Sequence, residues 1–200
     1  MRNLFVSLLA VSLLFTACKN DKKVTVTDKN EDGSTTTTTV DMSNAVDNTD
    51  EMNKKMEELK KLTPLTLDQL KALLPEELNG MKRKEFNTSS ALGYSFGQAK
   101  YEKDDTTQIE LTVYDCAGEA GAGIYGLNYW TKMNMQSESS NGYTKTIDLN
   151  DTKAVESYEK GSNQYTLTYT TNDRLLVVLT GRNTGVDVLR TIAKNLNLKV

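Results

Sequence analysis

The chain contains no histidine. That absence removes Ser-His-Asp and Cys-His catalysis, histidine metal ligation and a histidine pH switch together. Cysteine is scarce, with Cys18 and Cys116 as the only two. Neither sign of charge dominates: 24 Lys+Arg stand against 27 Asp+Glu for a net charge of -3, which gives no electrostatic case for nucleic acid as a partner. Aromatic residues make up 7% of the chain, and none lies between Phe15 and Phe86. An aromatic-rich core therefore belongs to the part from Phe86 onward, which holds all nine tyrosines and the one tryptophan. No apolar run reaches the roughly 20 residues of a spanning helix. At 200 residues the chain is shorter than a typical (β/α)₈ barrel of about 250, and suits one globular domain plus less structured sequence.

What is present begins at the amino terminus. Arg2 supplies a positive start, and residues 4–15 are apolar apart from Ser7 and Ser12, the length of a signal-peptide h-region. The run closes on Phe15-Thr16-Ala17-Cys18. This tetrapeptide resembles the lipobox of bacterial lipoproteins: a bulky apolar residue, two small ones, then cysteine. Phe15 stands where leucine is commoner, with Leu14 beside it. The resemblance implies a diacylglyceryl group on the Cys18 thiol, cleavage before Cys18 and acylation of the new amino group, with palmitate as the expected chain. At about 0.8 kcal/mol per buried CH₂, two or three such chains make a durable anchor. Lys19-Asn20-Asp21-Lys22-Lys23 lacks an aspartate next to the cysteine. It therefore does not resemble an inner-membrane retention signal, and it loosely resembles the lysine-plus-acid export tags of surface lipoproteins. The implied location is the cell outer membrane, on its periplasmic face or at the cell surface.

With Cys18 committed to lipid, Cys116 has no partner for a disulfide. It ends the alternating segment 109–115, so it reads as a small buried hydrophobe, and its neighbours Asp115 and Glu119 would raise its pKa.

Composition divides the chain into a signal peptide over 1–17, a lipidated polar tether over 18–49, an amphipathic helix over 50–63 and an α+β globular domain over 64–200. The tether contains two Val/Thr stretches that could pair as a marginal hairpin around Asp28-Lys29-Asn30-Glu31-Asp32-Gly33. Those six residues match the first half of a calcium loop. The twelfth position, where a bidentate glutamate is required, is Thr39, so a polar turn explains them instead. Met52, Met56, Leu59 and Leu62 recur at helical spacing, as a docked helix or a partner-binding face would require. Thr66 with Gln69 predicts a capping box, and Leu67, Leu70, Leu73 and Leu74 predict a buried stripe.

Strands are predicted over 82–87, 92–103, 107–114, 142–149, 154–160, 164–170 and 174–180, with a helix over 119–135 between them. The uninterrupted apolar run 175–179 predicts a central strand covered on both faces. A last helix, capped by Thr184 and Asp187, is expected to bury Leu189, Ile192, Ala193 and Leu196. The expected fold class is α+β, an antiparallel and partly meander sheet with helices packed on it. Over residues 66–200 this order of elements is similar to the Mog1/PsbP-like sandwich, whose members are mostly binding or assembly factors.

Gly121-Ala122-Gly123-Ile124-Tyr125-Gly126 is a literal G-x-G-x-x-G between a strand and a helix, the setting of a dinucleotide fingerprint. Asp115 and Glu119 stand where a phosphate would arrive, and the next strand lacks the apolar run of a parallel sheet. The expectation is therefore no cofactor. The glycines would let the helix lie close to the sheet, with Ile124, Leu127 and Trp130 as anchors. Asp104-Asp105 and Glu76-Glu77 are adjacent carboxylates whose side chains diverge, whereas glycosidase chemistry needs facing ones. Tyr94, Tyr101, Tyr125, Tyr129, Tyr143 and Tyr158 could form a contact patch for a glycan or a protein if several share a surface.

These residues together imply a lipid-anchored cell-envelope domain with a non-catalytic ligand-binding or assembly role. The alternative is an extracytoplasmic enzyme using carboxylates. Cys18 is the one site residue, as the lipidation site; no catalytic, cofactor-binding or metal-binding residue is expected. The expected partners are the membrane through its lipid anchor, and an envelope protein or a glycan.

Overall fold

In the computed structural model, residues 23–29, 33–41, 43, 45–91, 93–150 and 152–200 are described. The signal peptide, Cys18 and residues 19–22 lie outside them, as do Asn30, Glu31 and Asp32 of the polar turn.

Eleven strands form one antiparallel sheet, so the α+β class is correct. In chain order they are β1 (Lys23–Lys29), β2 (Thr35–Asp41), β3 (Glu77–Leu78), β4 (Met81–Ala91), β5 (Tyr94–Glu102), β6 (Gln108–Asp115), β7 (Met135–Ser139), β8 (Gly142–Leu149), β9 (Thr152–Glu159), β10 (Gln164–Thr171) and β11 (Leu175–Arg182). Two meanders, β3 to β6 and β7 to β11, meet where β11 pairs with β6, and the β1–β2 hairpin extends the sheet beyond β7. The hairpin gains a third strand from β2–β7 pairing, which an isolated hairpin of this composition lacks.

Helices α1 (Ala45–Lys60), α2 (Leu67–Ala72), α3 (Gly118–Leu127) and α4 (Val186–Asn195) cover the two faces. Alternation along β11 sorts its apolar run. Leu175, Val177 and Leu179 join the larger core under α2 and α4, and Leu176 joins a smaller one with Leu59 of α1 and Ala122 and Tyr125 of α3. Each of these leucines is essentially inaccessible, a burial worth about 1.5–3 kcal/mol apiece.

The capping box forms: Gln69 N donates to Thr66 Oγ1 and Thr66 N donates to Gln69 Oε1. Several local expectations change. Leu67, the first residue of α2, and Leu62, two residues beyond the end of α1, are exposed at 49% and 42%. The helix expected over 119–135 stops at Leu127, passes through a 3₁₀ turn at Tyr129–Lys132, and gives way to β7. The last helix is capped by Gly185 with no side-chain hydrogen bond, so Thr184 and Asp187 do not cap it; Asp187 instead pairs with Arg190 at 3.0 Å.

Candidate functional site

Two acids sit fully buried on the sheet. Asp115 ends β6 and Glu156 lies mid-way along β9, between Ala154 and Tyr158 on the face covered by α4. Each is held by an arginine. Arg174 Nε approaches Asp115 Oδ1 at 2.6 Å, and that contact raises the guanidinium pKa further. Glu156 accepts from Arg190 Nε at 2.7 Å and from the Tyr143 hydroxyl at 2.8 Å, with Lys145 Nζ at 3.4 Å. Burial, followed by this contact with Glu156, raises the Tyr143 pKa. Both carboxylates are saturated by protein donors, as buried charges must be. Glu156 falls inside the strand predicted over 154–160, where three successive buried residues, Ala154, Val155 and Glu156, leave no alternation to mark it.

The adjacent acids part company. Glu76 pairs with Arg83, whereas Glu77 lines a surface hollow. Asp104 accepts from Thr106 N at 3.0 Å, Thr106 Oγ1 at 2.9 Å and Thr107 N at 2.8 Å, which lowers its pKa to about 2, and Asp105 is exposed. Among the described residues no group of three or more acids or cysteines is placed to hold a metal ion.

The tyrosines split as well. Tyr101, Tyr125 and Tyr129 are buried, and Tyr94 stands apart at 45% exposure. Tyr143 and Tyr158 are cross-strand neighbours with ring centroids 6.1 Å apart, and Tyr165 stacks on Tyr158 at 4.4 Å and 27°. In this ladder Tyr158 and Tyr165 cover each other, and Lys145 caps Tyr143 at 4.8 Å from its centroid. These contacts occupy one face of each ring, and Tyr143 and Tyr158 also line a hollow of about 180 Å³ with Ser137, Asn141 and Glu159.

At the glycine motif, a Cβ on Gly121 would lie 2.6 Å from the Cys116 carbonyl carbon, so this glycine lets α3 sit against the end of β6. Gly126 seats Met56 of α1, and Gly123 faces open space. The Ala117 N–H at the start of α3 is taken by Asp115 Oδ1 at 3.1 Å. Leu127 is 79% exposed and is no anchor; Tyr125 and Tyr129 fill that role beside Ile124, and the Trp130 side chain lies outside the described residues. Cys116 is buried, and desolvation, then the Asp115 charge, pushes its pKa to about 12.

The hollow that Glu77 lines, about 250 Å³, lies between the β3–β4 turn and the end of α4. Leu78 and Met81 are paired and buried, so only Asn79-Gly80 make the turn, with φ of 51° and 78°. Two positive-φ residues define a type I′ hairpin, and asparagine and glycine are the residues that tolerate it. On the other side α4 ends at Asn195, Leu196 turns extended, and Leu198 is buried with its carbonyl held by the Asn172 amide. Leu78, Ile192 and Leu196 supply an apolar floor, and Asn79, Asn195, Asn197, Thr191 and Glu77 supply a polar rim. None of the three rim carboxamides has a side-chain partner among the described residues. Another hollow, of about 350 Å³ where β2 pairs with β7, has Met135 as its single apolar lining residue among the described residues.

No family model, no curated protein and no solved structure matches the chain.

Proposed function

We propose that this is a lipid-anchored protein of the cell envelope, attached through Cys18 to the outer membrane, whose domain binds a ligand or partner without catalysis. The anchor reading rests on Phe15-Thr16-Ala17-Cys18 after an apolar run of signal-peptide length. An element order similar to Mog1/PsbP-like sandwiches implies no activity of its own.

The observation that carries the non-catalytic reading is the state of the acids. Carboxylate hydrolysis needs two facing carboxyl groups beside one cavity. Asp115 and Glu156 are fully buried and neutralised by Arg174 and Arg190, and the hollow beside α4 has one acid, Glu77. Its rim of unpaired carboxamides over an aliphatic floor is instead the make-up of a binding site.

Replacing Cys18 by serine tests the anchor. The expected product is an unprocessed precursor without covalent lipid, seen by metabolic labelling with a fatty acid and intact mass. A processed, membrane-bound variant refutes the reading. Protease shaving of intact cells then separates the two faces of the membrane: loss of the domain places it at the surface, and protection places it in the periplasm.

A further inference from the structure

We infer that the hollow between the β3–β4 turn and the end of α4 binds a single uncharged pyranose ring, as one residue of a glycan. This deepens the reading of the domain as a non-catalytic binding module and is independent of the anchor.

A sugar ring has an apolar C–H face and a circumference of hydroxyls that both donate and accept. The hollow offers the matching halves. Leu78 and Ile192, both buried, with Leu196 form the floor. Asn79, Asn195 and Asn197 each present an acceptor oxygen and two donor hydrogens, enough to take neighbouring hydroxyls in pairs. Thr191 is already committed as a donor to the Asp187 carbonyl at 2.8 Å, so it offers acceptance only.

Charge narrows the ligand further. Among the described residues Glu77 is the only charged side chain lining the hollow, with Lys82 opposite it across the hairpin rather than in the lining, and it disfavours phosphate and uronate groups. Size narrows it again, because about 250 Å³ falls below the roughly 300–1,000 Å³ of pockets for drug-sized ligands and suits one ring. A peptide is a poorer fit: β3, the terminal strand beside the hollow, is two residues long and offers no run of main-chain partners. The backbone under the rim is anchored: Asn79 lies in a two-residue turn between the buried Leu78 and Met81, and Asn197 lies between Leu196 and the buried Leu198.

The test uses the full-length protein as isolated from its host, whether or not it carries lipid, in micelles of a sugar-free zwitterionic detergent, with saturation-transfer NMR. The probes are the methyl glycosides of glucose, galactose and N-acetylglucosamine, with methyl glucuronide as the acidic counterpart. At least one neutral glycoside is expected to bind with Kd on the order of 1 mM, and the glucuronide at least about tenfold more weakly. Asn195→Leu and Asn197→Leu should each weaken binding about tenfold, whereas Tyr94→Ser leaves it unchanged. Asn79→Asp, which the turn tolerates, should weaken it likewise and guards against misfolding of the leucine variants.

No transfer to any neutral glycoside at about ten times that concentration overturns the proposal. So does binding that survives all three asparagine changes, or equal binding of the glucuronide. A protein captured by a photoreactive residue installed at position 195 in intact cells, with no sugar bound, overturns the sugar and leaves the binding reading standing. Release of free sugar from a glycoside overturns the non-catalytic reading itself.

Discussion

Arg174 grips Asp115 with two hydrogen bonds, Nε to Oδ1 at 2.6 Å and Nη2 to Oδ2 at 2.9 Å, and the same Nη2 reaches the Thr63 carbonyl at 2.7 Å. Asp115 Oδ2 in turn accepts from the Leu65 N–H at 2.7 Å. One ion pair therefore ties β6 and β11 to the segment between α1 and α2, and through the Ala117 N–H to the start of α3.

Breaking that latch from either side should be costly. Arg174→Met leaves a fully buried carboxylate without its counter-ion, and about 3–5 kcal/mol of stability is expected to go. Asp115→Ala orphans the N–H groups of Leu65 and Ala117, at roughly 1–3 kcal/mol each. Urea unfolding at unchanged m-value measures both. A loss below about 1 kcal/mol for either variant would show that the latch is peripheral to the fold.

The three motif glycines should respond unequally to alanine. Gly121→Ala drives a methyl group onto main chain at 2.6 Å and is expected to destabilise by more than about 2 kcal/mol. Gly123→Ala meets nothing within 4 Å, and the higher helix propensity of alanine should stabilise by about 0.5–1 kcal/mol. Gly126→Ala meets the movable end of Met56 and should fall between them. Thermal unfolding ranks the three, and equal effects would mean that α3 does not lie where described.

Cys116 should be inert in the native protein. Its thiol is buried and its pKa is raised to about 12, so iodoacetamide at pH 8 should label it only after unfolding. The sign of the linkage is definite: the folded state holds this proton more tightly, so the contribution is whole below the unfolded thiol value and fades as pH rises from about 8.5 toward 12. Rapid labelling of the folded chain would contradict the burial.

Local chemistry was legible wherever one residue type determined the backbone. The capping box of Thr66 and Gln69, the alternation of β6 and the unbroken run in β11 all read directly from short-range pattern. β7 did not. Met135-Gln136-Ser137-Glu138 has no β-branched residue and continues the helical spacing before it, so its strand state comes from pairing on both sides with β2 and β8. The same tertiary pairing turns a hairpin that looked marginal into part of the sheet. The hollow was illegible for a different reason: Asn79 and Asn197 come from opposite ends of the domain, and nothing local marks either as a rim residue.

Acid should expose the turn at Asp104. Three donors from Thr106 and Thr107 hold its carboxylate at a pKa of about 2, below the unfolded value near 3.9. A depressed carboxylate contributes stability that is present above the unfolded pKa and is lost as pH falls through the folded one, so the effect lies between about pH 4 and pH 2. An asparagine in place of Asp104 would keep an acceptor oxygen in the turn but carry no proton equilibrium. The Asp104→Asn protein is therefore expected to be less stable than the parent at pH 7 and to lose less over that interval, so that the two converge toward pH 2, in denaturant titrations at stepped pH. Parallel acid limbs for the two proteins would mean that the turn is already open at pH 4, and that β5 and β6 are held together by their ladder rather than by the loop between them.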